Sequence, residues 1–411
     1  MLCAGRANNQ DHPQLYISHV SLTDFRSYRQ VDLELVPGTT VFAGPNGVGK
    51  TNIAEALGYL ASLSSHRVSN DAPLIYFGAD QALVRARVHR GDQAVGLELE
   101  ITAGKANRAR INRANTVRAR DILGILRTVL FAPEDLALVK GDPSERRRYL
   151  DDVLVALQPH HAATRSDYDR VLKQRNALLK SARASGRLSS SHESTLSVWD
   201  EHLVTAGSKL LRGRLEVLGA LEGHIADAYD GLTDGSKPAT ARYMSTVGGA
   251  MDDEQDQGQP GNGTSGTPRS PLMDLDEGEL HAAFLRSLAL QRRKELDRGL
   301  TLVGPHRDEL VLGLGTAPAK GYASHGETWS LALSLRLAVY RALCEDDSRP
   351  GSKPILILDD VFAELDVSRR RKLAAVVADA EQVIVTAAVV EDVPDELNGR
   401  ILTVGPGTVS A

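Results

Sequence analysis

The octapeptide Gly44-Pro45-Asn46-Gly47-Val48-Gly49-Lys50-Thr51 constrains this chain more than any other segment, because it satisfies the spacing G-x-x-x-x-G-K-[ST] in full. Its surroundings meet the same requirement. The apolar run Val41-Phe42-Ala43 precedes it as a short strand, and Ile53, Leu57 and Leu60 follow on one helical face. Glycines let backbone amides turn inward around phosphate oxygens, and the following helix presents its positive end. Lys50 is placed to reach terminal phosphates, and the Thr51 hydroxyl to coordinate Mg²⁺. A chance glycine-rich turn before a helix is the plain alternative, and the strand and helix on either side argue against it.

A second signal stands near the far end of the chain. Pro354-Ile355-Leu356-Ile357-Leu358-Asp359-Asp360 is a buried-strand run that ends in two carboxylates. Asp359, at the end of a central parallel strand, suits a Mg²⁺ held through water, and Asp360 suits the orientation or deprotonation of an attacking water. Alone, such a run is as often a strand meeting a loop. Beside a complete phosphate loop it points to a nucleoside triphosphate.

Between these elements the chain changes character. Val31, Leu33 and Leu35 alternate with polar residues. Val84, Ala86 and Val88 face Leu97, Leu99 and Ile101 across Gly91-Asp92, which predicts a hairpin with its arginines paired to acids across the strands. Asp142-Pro143-Ser144-Glu145 then opens a helical region with capping chemistry. Helical rhythm runs to about Leu179, from about Leu196 to Leu221, and from Glu277 towards Arg298, in stretches too short for long coiled-coil arms. Gly248 to Ser270 is polar, rich in Gly, Asp, Gln and Pro, and reads as a disordered insertion. The expected fold is α/β, with residues 1–140 and 300–411 forming one lobe and 141–299 a helical lobe set into it. Length agrees, since 411 residues suggest two or three domains.

Composition narrows the class further. Lys and Arg number 48 against 53 Asp and Glu, which excludes a histone-like polycation but not a local basic patch. The two cysteines, Cys3 and Cys344, give neither a disulfide framework nor a zinc module, and a reducing cytoplasm is the expected location. No apolar run reaches the roughly 20 residues of a membrane helix, so a soluble protein without a membrane partner is expected.

Ser324-His325-Gly326-Glu327 precedes an apolar helical face with Trp329, Leu333 and Leu337. Ser324 and Glu327 have capping-box spacing, so a helix tip starts here, read either as a core helix with a good cap or as an anion site. The order of phosphate loop, inserted lobe, Ser-x-Gly-Glu, Asp-Asp strand and Ala363-Glu364-Leu365-Asp366 resembles an ABC-type ATPase head of the SMC class. Four blocks narrow the likeness to the RecF family of bacterial repair ATPases: Leu22 to Tyr28, Gly44 to Asn52, Phe131 to Leu136, and Gly304 to Leu310.

That resemblance implies a head that binds ATP and pairs with two nucleotides sandwiched between copies. It places Gly44, Asn46, Gly47, Gly49, Lys50, Thr51 and Asn52 at the phosphates, Thr51 and Asp359 at the metal, and Asp360 at the water. Ser324, Gly326 and Glu327 would close over the partner copy's γ-phosphate, and Asp366 would lie along the seam. It also implies DNA binding by the closed dimer, association with RecR and through it RecO, and help in loading RecA at gaps.

Two departures from ABC transporters stand out. Asp360 holds a position where they usually carry Glu, and Val383-Ile384-Val385 leads to Thr386-Ala387-Ala388 where they place a His. Both suit a slow ATPase acting as a timed clamp. A transporter subunit, an SMC-like nuclease or tether, and a non-hydrolysing DNA-binding protein are the competing classes. For DNA, the segment Lys105 to Arg120 carries Arg108, Arg110, Arg113, Arg118 and Arg120 without an acid or an aromatic. It favours phosphate contact without sequence reading over base stacking. The runs Arg146 to Arg148 and Arg369 to Lys372 read as solvated faces, while His306-Arg307 before Asp308-Glu309 reads equally as a local ion pair or as catalytic, and neither residue is assigned to nucleotide chemistry.

Overall fold

The computed structural model describes residues 15–185, 190–233, 235, 237–249, 270–346 and 353–411. Most of the expected insertion, 250–269, and Cys3 therefore lie outside the described residues. The chain divides into two compact units, Met1–Asp135 with Val339–Ala411, and Leu136–Ala338.

The first unit begins with β1 (Leu15–Phe25), β2 (Tyr28–Glu34) and β3 (Gly38–Ala43), which runs into α1 (Lys50–Ser62). It continues through β4 (Gln81–Arg90), β5 (Gln93–Thr102), β6 (Arg108–Ile111), β7 (Val117–Arg118) and β8 (Thr128–Phe131). The second unit contains α2 (Leu136–Lys140), α3 (Pro143–Leu157), α4 (His161–Ala184), α5 (Ser190–Thr233), β9 (Ala239–Met244) and α6 (Glu277–Arg298). β10 (Glu309–Leu314), β11 (Ala317–Pro318) and the start of α7 (His325–Asp346) complete it. The chain returns to the first unit with β12 (Ile355–Asp359), α8 (Val367–Val377), β13 (Gln382–Ala387), β14 (Arg400–Gly405) and β15 (Thr408–Ser410).

Two six-stranded sheets build the first unit. One is ordered β2-β1-β4-β5-β6-β7 and antiparallel; the other is ordered β15-β14-β3-β13-β12-β8 and parallel apart from β15. Every residue of β12 and β13 is buried, which is why Ile355 to Leu358 and Val383 to Val385 read as unbroken apolar runs rather than alternations. Gln382 ties the sheets together. Its amide donates to the carbonyls of Ile17 and Val36 while its oxygen accepts from the Ile17 amide. The β4–β5 hairpin has the expected register, with Arg85 opposite Glu98 and their side chains 2.6 Å apart.

The second unit runs beyond the boundary expected at 299. β10 pairs with β9, so residues 309–314 close a sheet begun inside the inserted segment. α5 is also far longer than the rhythm from Leu196 to Leu221 predicts, with 44 residues or about 66 Å at ~1.5 Å per residue. Glycines dilute its helical signal, and at least Gly207 has a packing reason. A Cβ there would lie 2.5 Å from Phe284 and 2.9 Å from Tyr168, so only glycine lets α4 and α6 approach this closely. α3 starts where Asp142-Pro143 predicts, and α6 where the helical rhythm resumes at Glu277. In α6, Asp276 and Glu279 form a true capping box, whereas Asp142 before α3 makes no side-chain capping bond. Among the described residues no helix is long and apolar enough to cross a membrane.

Candidate nucleotide-binding site

β3 ends at Ala43, the loop Gly44–Gly49 turns, and α1 begins at Lys50. Gly49 caps α1 with φ 118°, and a Cβ on it would meet the Tyr28 and Ser27 hydroxyls at 2.8 and 2.9 Å. No other residue fits both the backbone angle and that approach. The segment Arg26-Ser27-Tyr28 is thus the floor of the loop, and Tyr28 Oη donates to the Gly49 carbonyl. That floor is fastened by Glu55, which is fully buried on α1. Glu55 accepts two bonds from Arg26 at 2.6 and 2.7 Å, one from Ser65 at 2.5 Å and one from Arg67 at 3.2 Å. Burial would raise its pKa, but these donors hold the carboxyl below its ordinary value. The Asn52 side chain belongs to the same framework, donating to Ser27 and accepting from Arg67.

Lys50 is buried, and its ammonium donates to the Gly44 and Pro45 carbonyls at 2.6 and 2.9 Å, with Asn46 Oδ1 at 3.4 Å. Burial pulls its pKa down, and Asp360 and Asp359 pull it back up. The two carboxylates expected beside the loop are there. Thr51 Oγ1 donates to Asp359 Oδ1 at 3.0 Å, across a separation of 308 residues. β12 delivers Asp359 because it lies beside β13, whose other neighbour is β3, the strand leading into the loop.

Asp360 adopts φ 52°, a left-handed backbone that is uncommon outside glycine. Burial and then Asp359 raise its pKa, partly opposed by Lys50, so its carboxylate is a stronger base than an exposed aspartate.

Two residues that sequence reasoning did not weigh complete this corner. Thr386, at the position compared with a transporter histidine, donates to Asp359 Oδ1 at 2.6 Å and accepts from the Asp360 amide at 3.0 Å. His66, in the segment after α1, brings Nε2 to 3.7 Å from Asp359 Oδ2. Thr386 carried a signal, a hydroxyl at the end of a buried apolar strand. His66 carried none, because its approach depends on how the chain leaves α1.

Thr51 and Asp359 fit Mg²⁺. They offer hard oxygen donors, and the described residues contain no group of three or more His, Cys, Asp or Glu side chains that could cage a cation. Such a site leaves ligand positions to phosphates and water, which Mg²⁺ prefers.

In the second unit, Ser324 and Glu327 form the expected capping box. The Ser324 amide donates to Glu327 Oε2 at 2.8 Å, and the Glu327 amide to Ser324 Oγ at 3.3 Å. Ser324 is exposed, and its hydroxyl accepts from the Glu327 amide and also bonds the Glu327 carboxylate. Glu327 also accepts from Lys237 at 2.6 Å, and that bond, with those from Ser324, lowers its pKa to about 2. Gly326 lies in the first turn of α7, while Trp329, Leu333 and Leu337 are buried behind it. In the first unit Asp366 caps α8, accepting from the Arg369 amide at 2.9 Å.

Several expectations about charge require correction. Arg108 to Arg120 lacks acids in sequence but not in space, because β6 lies beside β5 and sets Glu98 opposite Arg110 and Glu100 opposite Arg108. Arg110 comes within 3.7 Å of Glu98. Arg108, Arg113, Arg118 and Arg120 are exposed, without a carboxylate in ion-pair reach among the described residues, and Arg108 stands directly opposite Arg118. The run Arg146 to Arg148 is not a solvated face. Arg146 is buried in a two-bond pair with Glu309, and Arg147 donates to the Asp308 carbonyl. Nor do His306 and Arg307 pair with the acids that follow them. His306 bonds Tyr168 and the Thr301 carbonyl, while Asp308 is wholly buried and accepts from Tyr243, Ser245 and Thr246. Mainly through burial, the His306 pKa falls to about 3, so the ring is neutral.

Comparison with known proteins places these features in a family. The family model for the RecF/RecN/SMC N terminal domain matches residues 16–396. The DNA replication and repair protein RecF of Pseudarthrobacter chlorophenolicus is 63% identical over 399 residues, covering 96% of this chain and 99% of the relative. The protein of the same name from Paenarthrobacter aurescens is 63% identical over 398 residues, with the same coverage. Among solved structures, the recombination mediator protein RecF-ATP in the RecFOR pathway superposes with a TM-score of 0.82 at 24% identity, covering 98% of this chain and 99% of that one. The fold is therefore that of an SMC/ABC-type ATPase head with an inserted helical lobe, and the chain belongs to the RecF family of DNA replication and repair proteins.

Proposed function

We propose that this protein is an ATP-dependent DNA-binding protein of recombinational repair and replication restart. Two copies close over two ATP molecules, the closed pair holds DNA, and RecR with RecO uses that platform to load RecA at gaps. The observation that carries the nucleotide part is the Thr51–Asp359 contact beside Lys50, since a hydroxyl, a carboxylate and an ammonium converge at the mouth of a phosphate loop. Thr51 and Asp359 would hold Mg²⁺, whose charge offsets that developing on the phosphates. Gly44, Asn46, Gly47 and Gly49 shape the cradle, and Lys50 reaches the terminal phosphates.

Asp360 accepts a proton from the attacking water. Its raised pKa suits a base, but its short side chain and fixed backbone limit its reach, so hydrolysis is slow and serves as a timer. The exposed capping box supports closure in trans. A helix end with an exposed serine is an anion site, and the partner copy's γ-phosphate is the anion the family resemblance supplies. In sedimentation, ATP is expected to convert monomer to dimer. Ser324→Arg, which puts a long side chain at that tip, should leave the protein monomeric at the same ATP concentration. Equal dimerisation of the two proteins would refute the sandwich.

For DNA, Arg108 and Arg118 face one another across neighbouring strands, a like-charge pair that Glu100, opposite Arg108, offsets on one side only and that a further anion would stabilise. A phosphodiester supplies it. With Arg113 and Arg120 added, about four phosphates are met per copy, giving a log–log salt slope near −4 per copy. Arg118→Ala should shift that slope by about one towards zero, equally for unrelated duplex sequences. A slope that does not change would remove this face from the DNA-binding surface.

A further inference from the structure

We propose that His66 is a positioning residue for the metal-side carboxylate, donating from Nε2 to Asp359 Oδ2 when Mg²⁺-nucleotide is bound. The proposal rests on the nucleotide reading above and adds a residue to it. The His66 side chain is 9% exposed, and Nε2 is enclosed without a hydrogen-bond partner among the described residues. A buried donor left unsatisfied is unfavourable, so the site gains by giving it an acceptor. The nearest carboxylate oxygen is Asp359 Oδ2, 3.7 Å away, and a shift of roughly 0.7 Å makes a hydrogen bond.

The two oxygens of Asp359 are treated differently by their surroundings. Oδ1 already accepts from Thr51 and Thr386, whereas His66 is the side chain that faces Oδ2. A Thr51 hydroxyl that lent a lone pair to a cation would keep its proton for Oδ1, so both hydroxyls hold the same oxygen of the carboxylate. A donor on Oδ2 fixes the other edge and with it the rotation about the Cβ–Cγ bond. A neutral imidazole carrying its proton on Nε2 is such a donor, so no change of charge is required. A histidine that donates to a carboxylate at a metal site fixes its orientation, and loss of such a partner usually costs about 10- to 100-fold in metal affinity. Packing alone would explain the burial of the ring but not the aim of its unpartnered nitrogen at the carboxylate.

The test is a Mg²⁺ titration of N-methylanthraniloyl-ATP binding by the full chain, followed by fluorescence. His66→Phe fills the space without a donor, while His66→Gln keeps an N–H at similar reach. The Mg²⁺ midpoint is expected to rise about 10-fold or more in His66→Phe and to stay within about twofold of the native value in His66→Gln. Binding in EDTA should be the same for all three. A native midpoint in His66→Phe, or an equal rise in both variants, would show that the ring only packs. Absence of Mg²⁺-dependent binding in the native protein is a different result, and it would overturn the nucleotide reading together with this one.

Discussion

Replacing Arg214 by alanine is expected to destabilise the second unit by about 3–5 kcal/mol, enough to unfold it near physiological temperature. Arg214 is 2% exposed in the interior of α5. Its guanidinium donates to both oxygens of Asp151 at 2.7 and 3.0 Å, to the Pro305 carbonyl at 2.7 Å and to Tyr243 Oη at 3.2 Å. Tyr243 in turn donates to Asp308, so one side chain holds α3, α5, β9 and the Gly304–Asp308 turn in register. Truncation opens a cavity and leaves Asp151 buried, with Arg165, at 3.6 Å, as its remaining ion-pair partner among the described residues. Uncompensated charge is the larger of the two costs, because breaking one side of a buried pair removes the attraction but not the desolvation. Arg214→Met with Asp151→Leu should therefore recover most of the loss. Calorimetry is the direct check, with the transition of the second unit falling by many degrees in the single variant and much less in the double. A single variant that melts within a degree or two of the native protein would mean that this network is incidental to stability.

Such networks explain why the inserted lobe was less legible in sequence than the ATPase lobe. The phosphate loop and the Asp-Asp strand are local signals whose chemistry follows from neighbours in the chain. They lead directly to Lys50, Thr51 and Asp359, and β12 brings the last of these to the loop. Ser324 and Glu327 were legible for the same reason, since a capping box spans only three residues. Arg146, Arg147, His306 and Asp308 were not. Each stands beside an opposite or like charge in sequence, yet Arg146 finds Glu309, Arg147 the Asp308 carbonyl, His306 the Thr301 carbonyl and Tyr168, and Asp308 the Tyr243 hydroxyl, all brought in by other elements. A charge run predicts a solvated face only while nothing folds over it.

The same limit applied to the arginines between 108 and 120 and to the corner around Asp359. Absence of acids along the chain says nothing about the strand next door, and β5 supplies Glu98 and Glu100. Thr386, at the position compared with a transporter histidine, donates to Asp359 and accepts from the Asp360 amide, contacts that its place in the chain does not announce. Long-range approach of this kind, like that of His66, is fixed by sheet order and loop path, which hydrophobic periodicity does not encode.

Lys50→Ala is expected to weaken ATP binding by roughly 10- to 100-fold, the worth of a hydrogen bond to a charged group at about 1.5–3 kcal/mol. In this structure the ammonium is not free, since the Gly44 and Pro45 carbonyls accept from it at 2.6 and 2.9 Å. What binding gains is the difference between those neutral acceptors and a phosphate oxygen. A charge-assisted bond to phosphate is about twice as strong as a neutral one, so the difference is substantial but not the full value of an ion pair. On the proposal that Lys50 reaches the terminal phosphates, the loss should fall on ATP and ADP while leaving the weak binding of AMP nearly untouched. Asp360→Asn separates the roles, because it should keep ATP affinity and dimerisation while hydrolysis drops. Isothermal titration with the three nucleotides reads the pattern directly. An equal loss for AMP and ATP would show that the variant had disordered the loop as a whole. Unchanged ATP affinity would show that Lys50 serves only to tie the loop to itself.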